Sequence, residues 1–501
     1  FFWPDLIAEV GADRGDGQPP FARSFEQARV MGGGSAIMGM VALRGTPADY
    51  DEWAESGADG WRWDDVLPYF KRLENDLDFR GPLHGADGPI PIRRHASETW
   101  PPFCRAVGES LVSRGYGKLA DLNGEFHDGV GPVPMSNRPE GRVSSAMGYL
   151  GAAARRRPNL HILTDAFVER LVFDGSRTTG VMARTANGVQ HLRAKEVVVA
   201  AGAIHSPTLL LRSGVGPAAD LQRTGVQPIE NLRGVGANLQ NHPLVTIAVH
   251  LKPHAVQPAE QRAWGQNCLR FSSREADCPA SDMLMFAVNK TSWHPLGRRI
   301  ASLGVGVYKS FSRGTVALRS PDPAIEPQVR FRLLSDERDG ERLIGGVALA
   351  ASVLADPRVE ATRNEVFLPD GAIVRRLNRP RFDNWCQGFA ISVLLGSSGA
   401  LRRTLLRRAT LEPARLASDR GMLRDIVLRT AGPMGHVAGT CRMGRASDPH
   451  AVVDSRCRVH GVGGLRVVDG SVMPAIVRAN TNLPITMIAE KAADAILEDV
   501  R

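Results

Sequence analysis

The sequence predicts two interleaved architectures: an α/β core of the nucleotide-binding kind, and an α+β region in which a mixed or antiparallel sheet carries helices. Three observations carry that reading. The apolar run KEVVVAAGA (Lys195 to Ala203) turns directly into AIHSPTLLLRSGVG, and continuous β-branched strands of this type belong to sheets covered on both faces. Between about Pro243 and Leu428 the texture changes to alternating segments such as GVGVYKSF and GTVALRS, followed by helices from Asp336 onward, the mark of a sheet with helices laid on it. The first texture then returns in GGLRVVDGS (Gly463 to Ser471), ahead of a closing helix from about Pro484 to Glu498. The expected division gives 1–47, 128–242 and 429–501 to the first unit and 48–127 with 243–428 to the second.

Taken in order, the first 47 residues are rich in Gly and Pro and lead into RVMGGGSAIMGM (Arg29 to Met40). Three consecutive glycines let a backbone pass close to a flat or phosphorylated ligand, although a Gly triplet is equally compatible with a flexible turn. Helical spacing of Trp63, Val66, Leu67, Phe70 and Leu73 predicts a core helix within Asp51 to Asp76. A helix around Ala146 to Arg156, a strand over Leu160 to Asp174 and another near Gly180 to Arg184 continue the αβ rhythm, and Leu343 to Ala355 reads as a core helix.

At 501 residues and 43% hydrophobic, the chain can bury a large core. No run of 18 uncharged apolar residues occurs, so no membrane span is expected. The net charge of +9 comes from 62 basic residues of which only seven are Lys. Arginines spread along the whole length do not form a nucleic-acid footprint, and the densest group, Arg402, Arg403, Arg407 and Arg408, reads as a solvated helix face. Six cysteines lie far apart with no paired spacing, which indicates neither a zinc site nor a disulfide scaffold; a reducing, cytoplasmic compartment and no metal are expected.

Chemistry concentrates in a few places. Ala201 and Gly202 stand where the apolar strand turns into a helix, the position at which open α/β sheets bind cofactors. Asp469 and Gly470 end another strand and offer an acid and backbone N–H groups, as a simple turn also would. Asn480 to Pro484 (NTNLP) caps the last helix, whose N-terminus is a site of positive potential. His436 opens HVAGTCRMG and is presented from Gly-rich backbone instead of a helix face. An imidazole and the Asn480 amide converging on one point would make a proton-abstraction site with a hydrogen-bond partner, which suits oxidation of an alcohol carbon. His460 is read as structural, and His205 and His242, expected in the cofactor-side core, are assigned no chemistry.

Together these residues resemble the glucose–methanol–choline (GMC) oxidoreductases, over nearly the whole chain. Gly202 to Gly216 fits that family's second signature at every defined position, and HVAGTCRMG through NTNLPITMIAEKAADAI fits its closing block without a gap. The resemblance implies an FAD-binding Rossmann-like domain interleaved with a substrate domain, bacterial choline-dehydrogenase-like chemistry, and non-covalent FAD. It implies that His436 takes the hydroxyl proton or stabilises the alkoxide while hydride leaves the carbinol carbon for flavin N5, and that Asn480 orients the hydroxyl. FAD contacts are implied at Gly33, Gly34, Ser35, Val168, Ala201, Gly202, Asp469, Gly470 and Asn482, the last at a helix end that favours an anionic reduced flavin. The implied partners are a small alcohol and an electron acceptor, either a quinone or dye or O2.

The match is incomplete in two places. In the first signature Arg29, Gly32, Gly33, Gly34, Ser35, Gly39, Met40, Arg44 and Gly45 fit, but Met31 and Met38 depart, and a thioether at position 38 is a weaker hydrogen-bond partner than the family's Asn or His. The family's opening G-x-G-x-x-G turn has no counterpart before Arg29, so a fragment of a longer enzyme is expected. Two alternatives stay open from sequence: a hydroxynitrile-lyase-type acid–base enzyme on the same fold, and a truncated relative without its cofactor.

Overall fold

In the computed structural model, residues 1–13, 20–261 and 264–500 are described. The dominant element is an eight-stranded sheet in which Thr410–Leu411, Arg363–Phe367, Pro243–Leu251, Ile300–Val307, Met283–Val288, Gly265–Phe271 and Gly129–Pro132 lie side by side, every neighbour antiparallel. Gly432–Pro433 adds a short strand against the start of Pro243–Leu251. Alternation decides which side each residue faces. Val245, Ile247 and Val249 join Leu303, Val305 and Val307 in one core under the helix Glu337–Leu354, whereas Leu284, Phe286 and Cys268 belong to a second core on the other side. The sheet thus separates two hydrophobic bodies.

The α/β part is built around a short parallel pair, Val197–Val199 with Leu465–Val467, feeding the helix Gly202–Arg212. The parallel run is three residues where Lys195 to Ala203 predicted more. Gly202 takes φ +84°, and Ala201 already caps the helix, so the chain leaves extended geometry at once. The strand predicted from Leu160 begins only at Phe167, because Asp165 sits in the left-handed region at φ +54°. Phe167–Asp174, Arg177–Thr185 and Gly188–Arg193 form an antiparallel meander, and Ile7–Glu9 joins a separate four-stranded sheet. The helix predicted over Ala146 to Arg156 is two pieces, Ser145–Tyr149 and Ala152–Arg155, broken where Gly151 caps the second.

The helix Trp63–Leu73 buries Val66, Phe70 and Leu73 as its spacing predicted, and packs in one core with Met487, Ile488 and Ala492 of the last helix, Asn482–Val500. Arg72 and Asp494 pair across these helices through two 2.9 Å hydrogen bonds. All six cysteines are free thiols.

Candidate active site

Strand register assembles the site. Gln240 and Ala438 bridge antiparallel through mutual backbone hydrogen bonds of 2.9 and 3.1 Å, and two residues further along each chain His242 stands opposite His436. Leu244 pairs with Gly306, which brings Tyr308 to the same end of the sheet. Its ring stacks on His242 at 4.3 Å. His436 Nδ1 lies 2.9 Å from His242 Nδ1, and His436 Nε2 lies 3.0 Å from the Asn480 amide nitrogen. The two residues singled out as catalytic candidates are therefore in contact.

Asn480 is carried on an irregular segment, which needs external fastening to be placed so closely. Gln240 supplies part of it, donating to Pro474 O at 3.2 Å and accepting from Ile476 N–H at 3.0 Å. Trp53 Nε1 donates to Ala475 O at 2.7 Å, Lys309 to Ile476 O at 3.0 Å, and Asp49 accepts from Arg478 N–H at 3.1 Å. Asn241 reaches across to Met434 O at 2.7 Å and so holds the loop that leads to His436. Three consecutive buried polar residues, Gln240, Asn241 and His242, thus position both catalytic candidates.

The electrostatics favour a neutral base. Burial pushes the His436 pKa down to about 4, because no carboxylate stands near enough to offset the loss of water. His242 lies well below the ordinary imidazole value for the same reason, reinforced by the neighbouring His436, should it protonate, and by the Lys309 charge. The Asn480 amide N–H needs a lone pair, and Tyr308 O–H approaches the amide oxygen at 3.5 Å, which fixes the amide with its nitrogen toward His436 Nε2. Nε2 is then unprotonated, and His436 donates from Nδ1–H to His242. His242, given no chemistry from sequence, lies in direct contact with His436. The polar cluster Gln-Asn-His directly before an apolar strand was the available signal.

The cofactor-side residues fall into two groups. A Cβ added at Gly33, Gly34 or Gly202 would meet nothing within 4 Å, so all three leave an open cradle. Gly33 and Gly202 also adopt positive φ, at 51° and 84°. Ser35 is buried, and its hydroxyl donates to Gly32 O at 2.5 Å and accepts from Ser145 N–H at 2.9 Å, so it fixes the turn. Asp469 is likewise occupied: its carboxylate accepts from Gly202 N–H at 2.8 Å, Ser206 O–H at 2.5 Å and Ser471 N–H at 2.8 Å. It ties the strand Leu465–Val467 to the helix Gly202–Arg212 instead of presenting a free acid. Gly470 accepts at its carbonyl from Gly439 N–H at 3.0 Å, and a Cβ there would meet Ile485 and the Val437 carbonyl, so it is packed on that side. Val168 is the second residue of its strand and pairs with Ala183, and Asn482 is the first residue of the last helix, its carbonyl accepting from Thr486 at 3.0 Å. His205 bonds Glu326 at 3.0 Å and His460 bonds Gly444 O at 3.1 Å, away from His436.

Sequence reading missed a buried ionic cluster. Glu74, Asp76 and His84 lie close enough to hold a metal ion. The surroundings argue for an ion network: His84 approaches Glu74 at 3.2 Å, Asp76 at 3.1 Å and Asp121 at 3.0 Å, while Arg94 pairs with Asp76 and Asp121 and Arg44 with Glu74. Burial opposes the charge on His84, but hydrogen bonds to the three carboxylates overcome it and raise its pKa to about 10. The imidazolium itself occupies the cation's place. Burial would raise Asp76, yet the His84 hydrogen bond and the Arg94 charge outweigh it and hold the carboxyl far below its usual range.

A parallel pair feeding a helix, a glycine cradle beside it, and a neutral imidazole at the end of a large sheet define a cofactor-dependent oxidoreductase. Family models described as GMC oxidoreductase match residues 21–244 and 310–489, and the chain belongs to that family. It is 38% identical to a 5-(hydroxymethyl)furfural oxidase of Methylovorus sp. (strain MP688), over 99% of this chain and 87% of the relative. It is 32% identical to an oxygen-dependent choline dehydrogenase of Brucella anthropi, over 94% and 81%. Among solved structures, a pyridoxine 4-oxidase from Mesorbium loti superposes with a TM-score of 0.80 at 25% identity, over 98% of this chain and 88% of that one. FAD is the cofactor of the family.

Proposed function

We propose that the chain oxidises the CH–OH group of a small alcohol to a carbonyl, with His436 as base, Asn480 as hydrogen-bond partner and His242 as the group that orients the base. The observation that carries the reading is the His242–His436–Asn480 line, 2.9 and 3.0 Å long, ending on an unprotonated Nε2. Gly33, Gly34 and Gly202, which leave open space, would hold non-covalent FAD, and the flavin would supply the two-electron acceptor when bound. The residues of the chain do the rest. A substrate hydroxyl would take over the His436 Nε2 lone pair from the Asn480 N–H, which turns to the hydroxyl oxygen; Nε2 then takes the proton, and the imidazolium that forms is held in plane by Nδ1–H donating to His242. Lys309 and the helix end at Asn482 bring positive character to the neighbourhood without a second titrating base.

The relatives' printed names favour O2 as acceptor over a quinone, and an alcohol panel headed by 5-(hydroxymethyl)furfural and choline. The test is the ultraviolet–visible spectrum of the chain after incubation with FAD and desalting, followed by anaerobic addition of each alcohol. A retained flavin band that bleaches with an alcohol and recovers on admitting O2 is the expected result. Flavin that is bound but never bleaches, with cyanohydrin cleavage instead, would replace this reading with the lyase.

A further inference from the structure

The helix Phe382–Ser397 is inside out. Its inward stripe is Asn384, Gly388, Ser392 and Leu395, all buried, while the outward stripe exposes Phe382 by 82%, Trp385 by 40%, Phe389 by 50% and Val393 by 53%. The three outward rings run as a nearly parallel ladder, with centroids 6.4 and 5.6 Å apart and interplanar angles of 9° and 7°. Rotating the helix cannot bury them. Asn384 donates to Arg376 O and Arg379 O at 2.9 and 3.0 Å, and Gly388 lies so close to the His294 ring that a Cβ there would meet Nδ1 at 2.8 Å. Contiguous apolar surface of this kind marks a binding face.

Its rim says what binds. Segment 371–408 holds eight Arg and one acid, Asp383, and so carries seven of the chain's nine net positive charges. The charge that looked dispersed along the sequence is concentrated in the segment that carries this face. Arg381 pairs with Asp383 and Arg402 with Glu365; Arg375, Arg376, Arg379, Arg403, Arg407 and Arg408 form no ion pair among the described residues. A second copy docked about a two-fold axis would set this rim against itself. Nucleic-acid bases would occupy the rings but leave the aliphatic surface of Val393, Leu394 and Leu405 uncovered.

We propose that the helix Phe382–Ser397 lies in the plane of an anionic lipid surface, its aromatic ladder among the acyl chains and the surrounding arginines on the headgroup phosphates. No helix among the described residues is long and apolar enough to cross a membrane, so the attachment is interfacial, reversible and salt-sensitive. It stands independently of the catalytic reading.

Vesicle flotation of the full FAD-loaded chain tests it, with phosphatidylcholine alone and with phosphatidylcholine containing about a third phosphatidylglycerol. Binding to the anionic vesicles only is expected, released by high salt and abolished in the double variant Trp385→Ser, Phe389→Ser. The triple variant Arg403→Gln, Arg407→Gln, Arg408→Gln should bind roughly 100-fold more weakly. Unchanged thermal midpoints identify both variants as folded. Equal binding to neutral and anionic vesicles would overturn the proposal. So would absence of binding, whether the face is then found covered by a second copy, as a dimer that the Trp385, Phe389 variant dissociates, or by single-stranded nucleic acid.

Discussion

His436 and His84 are both largely withdrawn from water and both have their ring nitrogens engaged, yet one is held neutral and the other charged. His436 faces an imidazole and an amide, and burial carries its pKa down to about 4; His84 faces three carboxylates, which carry it up to about 10. The partners decide the outcome, because desolvation pushes both groups the same way. A base must be free of its proton at working pH, and no acid among the described residues touches the proposed base, His436. The cluster at Glu74 and Asp76 needs a permanent cation, so it gathers acids.

Substitutions sharpen that contrast in descending order of effect. His436→Ala should lower kcat by roughly 1000-fold with the flavin absorbance retained, measured by anaerobic stopped flow; a loss of flavin along with activity would move His436 into cofactor binding. His84→Ala should leave activity per folded molecule intact and cost about 3 kcal/mol of stability in denaturant titration, since it strands three buried carboxylates against two arginines. The His84 contribution has a sign that can be checked. With the folded pKa raised to about 10, it is fully present below the unfolded value near ~6.5 and is lost as pH rises through about 10.

Smaller effects probe the line itself. Asn480→Ala removes one hydrogen bond to a group that becomes charged and should reduce kcat/KM by roughly 10- to 100-fold. His242→Phe preserves the stack on Tyr308 while deleting the Nδ1 acceptor, and should cost roughly 10-fold in kcat with KM little changed. A larger loss from His242→Phe than from Asn480→Ala would make the buried imidazole more than an orienting group.

The difference between these regions also explains what could be read in advance. His436 and Asn480 could be singled out as candidates because each sits in a local sequence pattern with turn or helix-cap chemistry around it, and the fold brings the two into contact. The core helix at Trp63 to Leu73 and the parallel strands were legible from spacing and β-branched runs. His84 was not, since only Glu74 and Asp76, two apart on one short strand, are near it in the chain, while Asp121, Arg44 and Arg94 come from separate segments. His242 was half visible: its Gln-Asn-His context signals buried polarity, but only the antiparallel register with Ala438 sets it opposite His436. The boundary at Asp165 turned on a single left-handed residue that no propensity foretells. The arginine count hid its own meaning, because net charge per segment, and not the spread of basic residues, isolates 371–408.

The most direct test of the neutral base is the pH dependence of the anaerobic flavin-bleaching rate with a saturating alcohol. Protonation of His436 removes the lone pair that accepts the hydroxyl proton, so the rate should rise through a single ionisation near 4 and stay level to pH 9. His436→Ala should lose that ionisation with the rate. A wild-type profile that is flat below pH 5, or that is governed by a group titrating near pH 10 as His84 does, would contradict the assignment.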